Sequence, residues 1–367
     1  GLKLAVRDNT ITSLQIGDTE LAAATPSGFL ARDFAANSDV FDFSNAVCAE
    51  LNLRINSRIE ARSDHLSISG TVTDLTGKDR AITLLFALPV DATGWQWGED
   101  MRTSRRISGN TEFADLVNVG CGANGKMSRY PLAAIWNQSV GLALALDMTQ
   151  PAQYRLVYHP VTRQFFLAYD LALVKDTARF PSRAEFHLVC FRFDPQWGFR
   201  AALQKFYDIF PQQFVKRVWR EGVWMPFTDI AKVPGFADFG FAFQEGAPNV
   251  TFDDQHDIAS FVYVEPMSYW IALPPEAPRS YTAAMQVLTN DLSGARSAEQ
   301  QAMAAATFNS GIHTSDGKFS LYLVKAPWCD GGVFTLNPDP DLPVTDTLKF
   351  TKASVMHRDI AAAFQRN

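Results

Sequence analysis

The chain has 367 residues, of which 47% are hydrophobic and 20% charged, and its formal net charge is −6. One ordinary hydrophobic core does not organise a chain of this length, so we expect two domains. No run of lysine and arginine marks a nucleic-acid partner, and no apolar run is long enough for a membrane span. The composition leaves the oligomeric state open.

The first part of the chain is dominated by short strands. Residues 66–72 alternate apolar and polar side chains, which is the period of a strand buried on one face. We predict that this strand forms a hairpin with residues 81–88, since a turn signal lies between them. Many closely spaced strands without helices indicate a large antiparallel sandwich over residues 1–193. The predicted strands are residues 51–55, 66–72, 81–88, 132–136, 140–146 (a second hairpin with 132–136), 154–158, 164–171 and 184–193.

A helical period begins at Asp194. Asp194 followed by Pro195 is a favoured pairing of a helix cap and a first-turn proline. Side chains that are mostly apolar then recur at spacings of three and four, which predicts a linker helix over residues 194–217 packed against the sandwich. The predicted stripe is Trp197, Arg200, Leu203, Tyr207, Phe210 and Phe214.

From residue 218 to 367, strands and helices alternate. This alternation predicts βα units. A complete (β/α)8 barrel takes about 250 residues, more than remain here, so we expect either a smaller α/β fold or the beginning of an incomplete barrel. The predicted strands are residues 239–243, 258–264, 319–324 and 332–336, and the predicted helices are residues 278–292, 298–307 and 352–364.

The order of these parts resembles a known architecture, and five segments carry the resemblance. These are Tyr130-Pro131-Leu132, Gly141-Leu142-Ala143-Leu144, Trp197-Gly198-Phe199-Arg200-Ala201-Ala202, Phe210-Pro211 with Phe214, and Gly222-Val223-Trp224-Met225. They resemble glycoside hydrolases in which an N-terminal galactose-mutarotase-like β-supersandwich is joined by a helical linker to a (β/α)8 catalytic barrel.

The resemblance implies an oligo- or polysaccharide partner, hydrolysis of glycosidic bonds by a carboxylate pair, no cofactor, and an extracellular or periplasmic location. It makes residues 239–243 the first barrel strand and residues 258–264 the second. In such families the catalytic acids usually come from later strands, which are missing here, so the chain is expected to be a fragment with a truncated barrel.

Acidic residues follow the predicted strands. Because residues after barrel strands lie at the catalytic face, the resemblance places Glu245, Asp253, Asp254 and Glu265 near a sugar. Glu265, directly after the strand predicted at 258–264, is the best-placed catalytic residue, with Asp254 or Glu245 as partner carboxylate. The alternatives are a strand-end acid held by a salt bridge or hydrogen bond for Glu265, and a turn or helix cap for Asp253 and Asp254.

Aromatic residues near these acids are candidates for stacking on sugar rings. Trp224 and Trp270 are the main ones, with Tyr263 and Tyr269 beside them, and core packing is the alternative for each. Asp339 and Asp341 lie in a proline-rich segment that indicates a turn, with a calcium ion as the other interpretation.

The metal-binding residues are scattered. Cys48, Cys121, Cys190 and Cys329 form no Cys-x-x-Cys pair, and no histidine pair has a zinc-site spacing, so no metal site is predicted. Two further functions stay open. One is a non-catalytic carbohydrate-binding or scaffold protein. The other is a polysaccharide lyase, against which the dispersed histidines and the missing basic cluster argue.

Overall fold

The computed structural model describes residues 1–120, 122–175, 180–246, 249–294, 296–314 and 316–365. The chain divides into two compact units, Gly1–Val215 and Lys216–Asn367. The strands of the first unit are β1 (Leu2–Arg7), β2 (Thr10–Ile16), β3 (Thr19–Glu20), β4 (Gly28–Asp33), β5 (Phe41–Asp42), β6 (Val47–Cys48), β7 (Leu53–Ala61), β8 (Leu66–Asp74), β9 (Arg80–Pro89), β10 (Gln96–Gly98), β11 (Ser104–Arg106), β12 (Leu116–Asn118), β13 (Lys126–Ser128), β14 (Leu132–Trp136), β15 (Gly141–Leu146), β16 (Tyr154–His159), β17 (Gln164–Leu173) and β18 (Arg183–Phe193).

A larger and a smaller antiparallel sheet pack face to face in the first unit. The larger sheet has the strand order β11-β10-β14-β15-β18-β8-β7-β6, and the smaller has the order β16-β17-β9-β4-β5. Their facing side chains form a continuous apolar core. Within it, the ring centroid of Phe186 on β18 lies 5.1 Å from that of Phe29 on β4. The predicted antiparallel sandwich is therefore confirmed, as is the hairpin of β14 and β15.

The strand β9 does not pair as predicted. It lies between β17 and β4 in the smaller sheet, whereas β8 pairs with β7 and β18 in the larger one. The predicted hairpin between residues 66–72 and 81–88 is therefore wrong. The error arises because an apolar run does not specify its partner strands, and those of β9 lie far away in the sequence. After β8 the chain turns, with the Asp74 carboxylate accepting from the backbone N–H of Thr76 (3.0 Å) and Gly77 (2.8 Å), and then crosses to the other sheet. The nearly continuous burial of β9 is that of a central strand.

One helix, α1 (Phe199–Ile209), covers the outer face of the larger sheet. As predicted, Asp194 is a cap, and its carboxylate accepts from the backbone N–H of Gln196 at 2.9 Å. It caps a short 3-10 turn, Pro195–Trp197, after which Gly198 starts the α-helix with a φ of 51°. The 3-10 turn shifts the phase of the helix relative to the predicted start at residue 194.

The predicted apolar stripe is consequently only partly correct. Phe210 is buried and Leu203 packs beside it, but the other predicted members, Trp197, Arg200, Tyr207 and Phe214, are exposed. The side chains of α1 that are buried against the sheet are those of Phe199, Ala202 and Phe206, and Phe210 follows them. Trp197, from the predicted stripe, is 61% exposed. The correct stripe has the same spacing of three and four, but it runs through a small alanine that the sequence pattern did not single out.

The second unit contains parallel and antiparallel sheets. Its strands are β19 (Val223–Pro226), β20 (Phe241–Glu245), β21 (Ala259–Phe261), β22 (Ser268–Ala272), β23 (Leu321–Ala326) and β24 (Cys329–Thr335), and its helices are α2 (Val250–Gln255), α3 (Tyr281–Leu292), α4 (Ala298–Ser310) and α5 (Lys352–Phe364). β19, β20 and β21 pair in parallel in that order. β22, β24 and β23 pair antiparallel and form a core with α3 and α4. The chain is thus β-rich with a partial α/β part, as predicted.

The boundaries around the parallel sheet differ from the prediction. The strand predicted at 239–243 is β20, and β19 precedes it in the sheet. β19 escaped prediction because it is four residues long and ends in Pro226. The strand predicted at 258–264 shortens to β21, so Glu265 lies four residues beyond a strand instead of directly after it.

Cys48, Cys190 and Cys329 are buried free cysteines, and Cys121 lies outside the described residues. Within the described ranges, no helix combines the length and apolar character needed to cross a membrane.

Candidate functional site

The carboxyl edge of the parallel sheet brings together residues that are separate in the sequence. The backbone N–H of Phe227, just after β19, donates to the carbonyl of Glu245 at 3.1 Å, and Gly246 donates to Phe261 at 3.0 Å. The Phe227 ring centroid lies 5.1 Å from that of Tyr263, in the segment after β21. Glu245 is buried with 6% exposure. The strand ends thus position one acid and two aromatic rings at one edge.

Glu265 lies in the segment after β21, near this edge, and is partly buried. It accepts hydrogen bonds from the hydroxyl of Tyr263, the hydroxyl of Ser268 at 2.6 Å, and the side chain of Trp270. Burial by itself would raise the pKa of Glu265, but these hydrogen bonds outweigh it and the pKa is lowered. Glu265 is therefore a fixed, ionised acceptor at neutral pH.

The bond to Glu265 also affects Tyr263. This hydrogen bond, together with burial and the negative charges of Glu265 and Glu245, raises the pKa of Tyr263 to about 12. The hydroxyl therefore stays protonated and keeps donating to Glu265. The negative charge of Glu245 acts on the same hydroxyl, so both acids influence the pKa of Tyr263.

Lys352, which the sequence analysis did not select, also acts on Glu265. It is the first residue of α5, is 7% exposed, and its backbone N–H donates to the hydroxyl of Ser310 at 2.9 Å. Burial lowers the pKa of the Lys352 amine, while the negative charges of Glu265 and Asp359 oppose this shift. Lys352 lies far from Glu265 in sequence, so no local spacing could have connected the two residues.

Exposed aromatic rings surround the Glu265 carboxylate. Trp270 is partly buried, and its ring centroid lies 5.7 Å from that of Trp328, which is 73% exposed. Phe227 and Tyr263 are also exposed. Tyr269 points to the other face of β22, because neighbouring residues of a strand point to opposite faces. Burial raises its pKa to about 12, and it packs against the apolar core.

The other predicted acids are placed differently. Asp253 is buried in α2 and accepts from the hydroxyl of Ser260 on β21 at 2.6 Å, so it fastens α2 to the sheet. Burial raises the pKa of Asp253. Asp254 is exposed on α2, and Trp224 on β19 is 51% exposed. Within the described ranges, no hydrogen bond joins these residues to Glu265, and their role in ligand binding stays a prediction.

The segment proposed for calcium forms tight turns. The backbone N–H of Asp339 donates to the side chain of Asn337 at 3.0 Å, and that of Asp341 donates to the carboxylate of Asp339 at 2.9 Å. In the part of the chain that the structure describes, no group of three His, Cys, Asp or Glu residues is arranged to hold a metal ion.

A cleft of about 630 Å³, which the sequence pattern does not reveal, lies on the outer face of the smaller sheet of the first unit. Its floor is apolar and includes Leu30, Leu85 and Phe166. Arg155 lines one side, and its guanidinium is held by Asp170 at 2.8 Å. An apolar floor with a few fixed polar groups is typical of a small-molecule site. The alternating residues of β4, β9, β16 and β17 that form it become neighbours only when the sheet assembles.

Comparison with known proteins gives weak likenesses. No family model and no curated protein matches the chain. A quadruple mutant of the alpha-N-acetylgalactosaminidase NagBb from Bifidobacterium bifidum is similar in structure at 10% identity and a TM-score of 0.44, over 92% of this chain and 64% of that one. A GH36 alpha-galactosidase, AgaA, from Geobacillus stearothermophilus, in complex with raffinose, has 10% identity and a TM-score of 0.40, over 75% of this chain and 55% of that one.

A polysaccharide lyase has 13% identity and a TM-score of 0.30, over 56% of this chain and 34% of that one. The chain thus spans less than two thirds of the length of each of these three structures. At these TM-scores the likeness assigns no activity to the chain.

Proposed function

We propose that the protein is a carbohydrate-active protein similar to a glycoside hydrolase, and that its second unit binds an oligo- or polysaccharide at Glu265. One observation carries this proposal: a carboxylate fixed by Tyr263, Ser268 and Trp270 lies among exposed aromatic rings. A sugar ring offers an apolar C–H face to an aromatic ring and hydroxyl donors to a fixed acceptor, so the two chemistries match.

Hydrolysis of a glycosidic bond generally needs two carboxyl groups, one of which donates a proton. The lowered pKa of Glu265 fits the ionised partner, which acts as nucleophile or base. Glu245, which is buried at the same edge of the sheet, is our candidate for the proton donor. This assignment makes hydrolysis depend on both acids, whereas binding depends mainly on Glu265 and the aromatic rings.

The test measures binding and hydrolysis separately. Calorimetric titration with a panel of neutral oligosaccharides identifies a ligand, and release of reducing ends reports hydrolysis. We expect Glu265→Gln to weaken binding about tenfold or more, because the amide replaces an acceptor oxygen with a donor, and one lost hydrogen bond to a charged group costs about 1.5–3 kcal/mol. Glu276→Gln, at an exposed acid of the same unit, is the matched control. Unchanged affinity of Glu265→Gln for every bound sugar contradicts the proposal.

Non-catalytic carbohydrate binding is the second candidate, and specific observations favour it. The oxygens of Glu265 are already committed to hydrogen bonds, which leaves less capacity for chemistry. The cleft of about 630 Å³ in the first unit offers another surface for a ligand of sugar size. Binding without release of reducing ends, with Glu245→Gln leaving the affinity unchanged, decides for this candidate.

A further inference from the structure

A second cleft, of about 1090 Å³, lies in the first unit between the turn joining β7 and β8 and the helix α1. Side chains from both elements line it, with others from the end of β18. They include Asp64, His65, Arg192, Trp197 and Lys205. None of them belongs to the Glu265 site or to the cleft on the smaller sheet, so this cleft is independent of the proposed function.

A fixed imidazole lines this cleft. The carboxylate of Asp64 accepts from the Lys205 amine at 2.7 Å and lies 2.8 Å from Nδ1 of His65. The hydrogen bond from Lys205 lowers the pKa of Asp64 against the opposing effect of burial, and His65 adds to the lowering. Because an ionised carboxylate only accepts hydrogen bonds, Nδ1 of His65 must carry a proton. In the neutral imidazole, Nε2 is then an acceptor held in a defined position.

The cleft is basic, although the whole chain is acidic. Five lysine and arginine side chains line it against three aspartates, whereas the net charge of the chain is −6. Lys205 is neutralised by Asp64 and Arg62 by Glu60, but Arg192 is exposed and forms no ion pair with any residue in the described ranges. An unpaired guanidinium is a ready partner for a carboxylate or a sulfate, which it binds through paired N–H donors.

An aromatic ring completes the cleft. Trp197 is 61% exposed, because the 3-10 turn before α1 directs it away from the buried face of the helix. An indole exposed to this extent beside a basic wall provides a flat apolar surface of the kind on which a sugar ring packs. A small inorganic anion would not use this surface, and a neutral sugar would not need Arg192.

We propose that the cleft formed by His65, Arg192 and Trp197 binds an anionic saccharide, in which a sugar carries a carboxylate or a sulfate group. Arg192 pairs with the anionic group, Trp197 packs on the ring face, and Nε2 of His65 accepts from a sugar hydroxyl. The fold thus brings five basic residues that are dispersed in the sequence together with one histidine in this cleft.

The test uses the full chain and calorimetric titration with a tri-galacturonate, a sulfated trisaccharide and a neutral trisaccharide. We expect either or both of the anionic probes to bind, and raised ionic strength to weaken this binding. In the Glu265→Gln variant, whose proposed site for neutral sugars is weakened, the neutral probe should bind at least about tenfold more weakly than the anionic probe. Comparison of the two anionic probes shows whether a carboxylate or a sulfate is preferred. No binding of either anionic probe, or equal affinity of Glu265→Gln for the neutral and the anionic probes, overturns the proposal.

Variants locate the binding. Arg192→Gln and Trp197→Ala should each weaken binding of the anionic probe by about tenfold or more, because each removes one principal contact. Arg54→Gln, at an exposed arginine outside the cleft, and Trp219→Ala, at a tryptophan with 74% exposure, are matched controls with unchanged affinity expected. Circular dichroism confirms that each variant is folded.

Glu265→Gln separates this site from the proposed one. It should leave the binding of the anionic probe unchanged, and its failure to affect neutral sugars would count only against the proposed function. If Arg192→Gln and Trp197→Ala both bind the anionic probe with wild-type affinity, the cleft is not its site and the inference is wrong.

Discussion

Replacing Arg80 with methionine should strongly destabilise the first unit. The Arg80 guanidinium donates to Asp33 on β4 through Nε at 2.9 Å and through a terminal nitrogen at 2.7 Å. Its other terminal nitrogen donates to Asp74 at 3.0 Å and to the carbonyl of Leu51 at 3.1 Å. Because Asp33 belongs to the smaller sheet and Asp74 ends a strand of the larger one, this side chain joins the two layers.

The size of the expected loss of stability follows from the burial of the three charged side chains. The exposed fraction of the side chain is 13% for Arg80 and for Asp33, and 0% for Asp74. Arg80→Met keeps the apolar stem but leaves both carboxylates without their cation. Breaking a buried ion pair on one side costs about 3–5 kcal/mol. For a unit of this size that loss corresponds to a fall in Tm of roughly 6–20 °C.

The assay is urea and thermal unfolding followed by circular dichroism, with hydrogen exchange to assign transitions to each unit. Arg58→Met is the control, because Arg58 is 77% exposed and pairs with Glu60 at the surface. Such a pair contributes about 1 kcal/mol or less. A loss of less than about 1 kcal/mol for Arg80→Met would show that the network does not hold the sheets together.

The pH dependence gives a second check. Burial would raise the pKa of Asp33, but the hydrogen bonds from the backbone N–H of Ala36 and from Arg80 lower it. The folded-state pKa is therefore below the unfolded value, and the stabilisation is present above the ordinary pKa of aspartate and lost as pH falls through the folded pKa. The stability difference between wild type and Arg80→Met should shrink at acidic pH. A difference that grows there would contradict the assignment.

Two glycine substitutions should each destabilise only one of the two units. Gly70→Ala would place a Cβ 2.1 Å from a backbone oxygen of β7 and 2.6 Å from the Phe186 ring, and Gly331→Ala would place one 2.0 Å from a backbone oxygen of β22. We expect the first variant to lower only the melting transition of the first unit and the second only that of the second unit. Wild-type melting of either variant argues against its strand pairing. Burial raises the pKa of the Cys190 thiol, so site-resolved mass spectrometry should show alkylation of Cys190 only after unfolding, and rapid labelling of the native protein would refute its burial.

The parts of the fold that could be predicted are those that depend on residues close together in the sequence. The alternation in β8 and the hairpin of β14 and β15 are local signals, and the structure confirms them. The partner of β9 is not a local signal. Its apolar run indicates a central strand but not which sheet contains it, because its partners β4 and β17 are distant in the sequence.

The residues of the candidate sites could likewise be predicted only where the signal is local in the sequence. Glu265 was selected because it follows an apolar segment, and it is a fixed acceptor even though β21 ends earlier than predicted. Lys352 and His65 were not selected, because each is a lone residue in sequence. Lys352 comes near Glu265, and His65 shares the Asp64 carboxylate with Lys205, only when the helices pack on the rest of each unit. Residue spacing in the sequence does not predict such contacts.

The neighbours of β18 have a consequence for how the protein folds as it is synthesised. β8 and β18 pair along nearly their whole length, yet more than a hundred residues separate them in the chain. The strand pairing of the larger sheet therefore cannot be completed until β18 has left the ribosome. Until then, the apolar faces of the earlier strands stay uncovered. Pairing between distant segments is slow and exposes intermediates to aggregation. In a cell, the yield of this protein should depend more on chaperone supply during synthesis than on the stability of the finished sandwich.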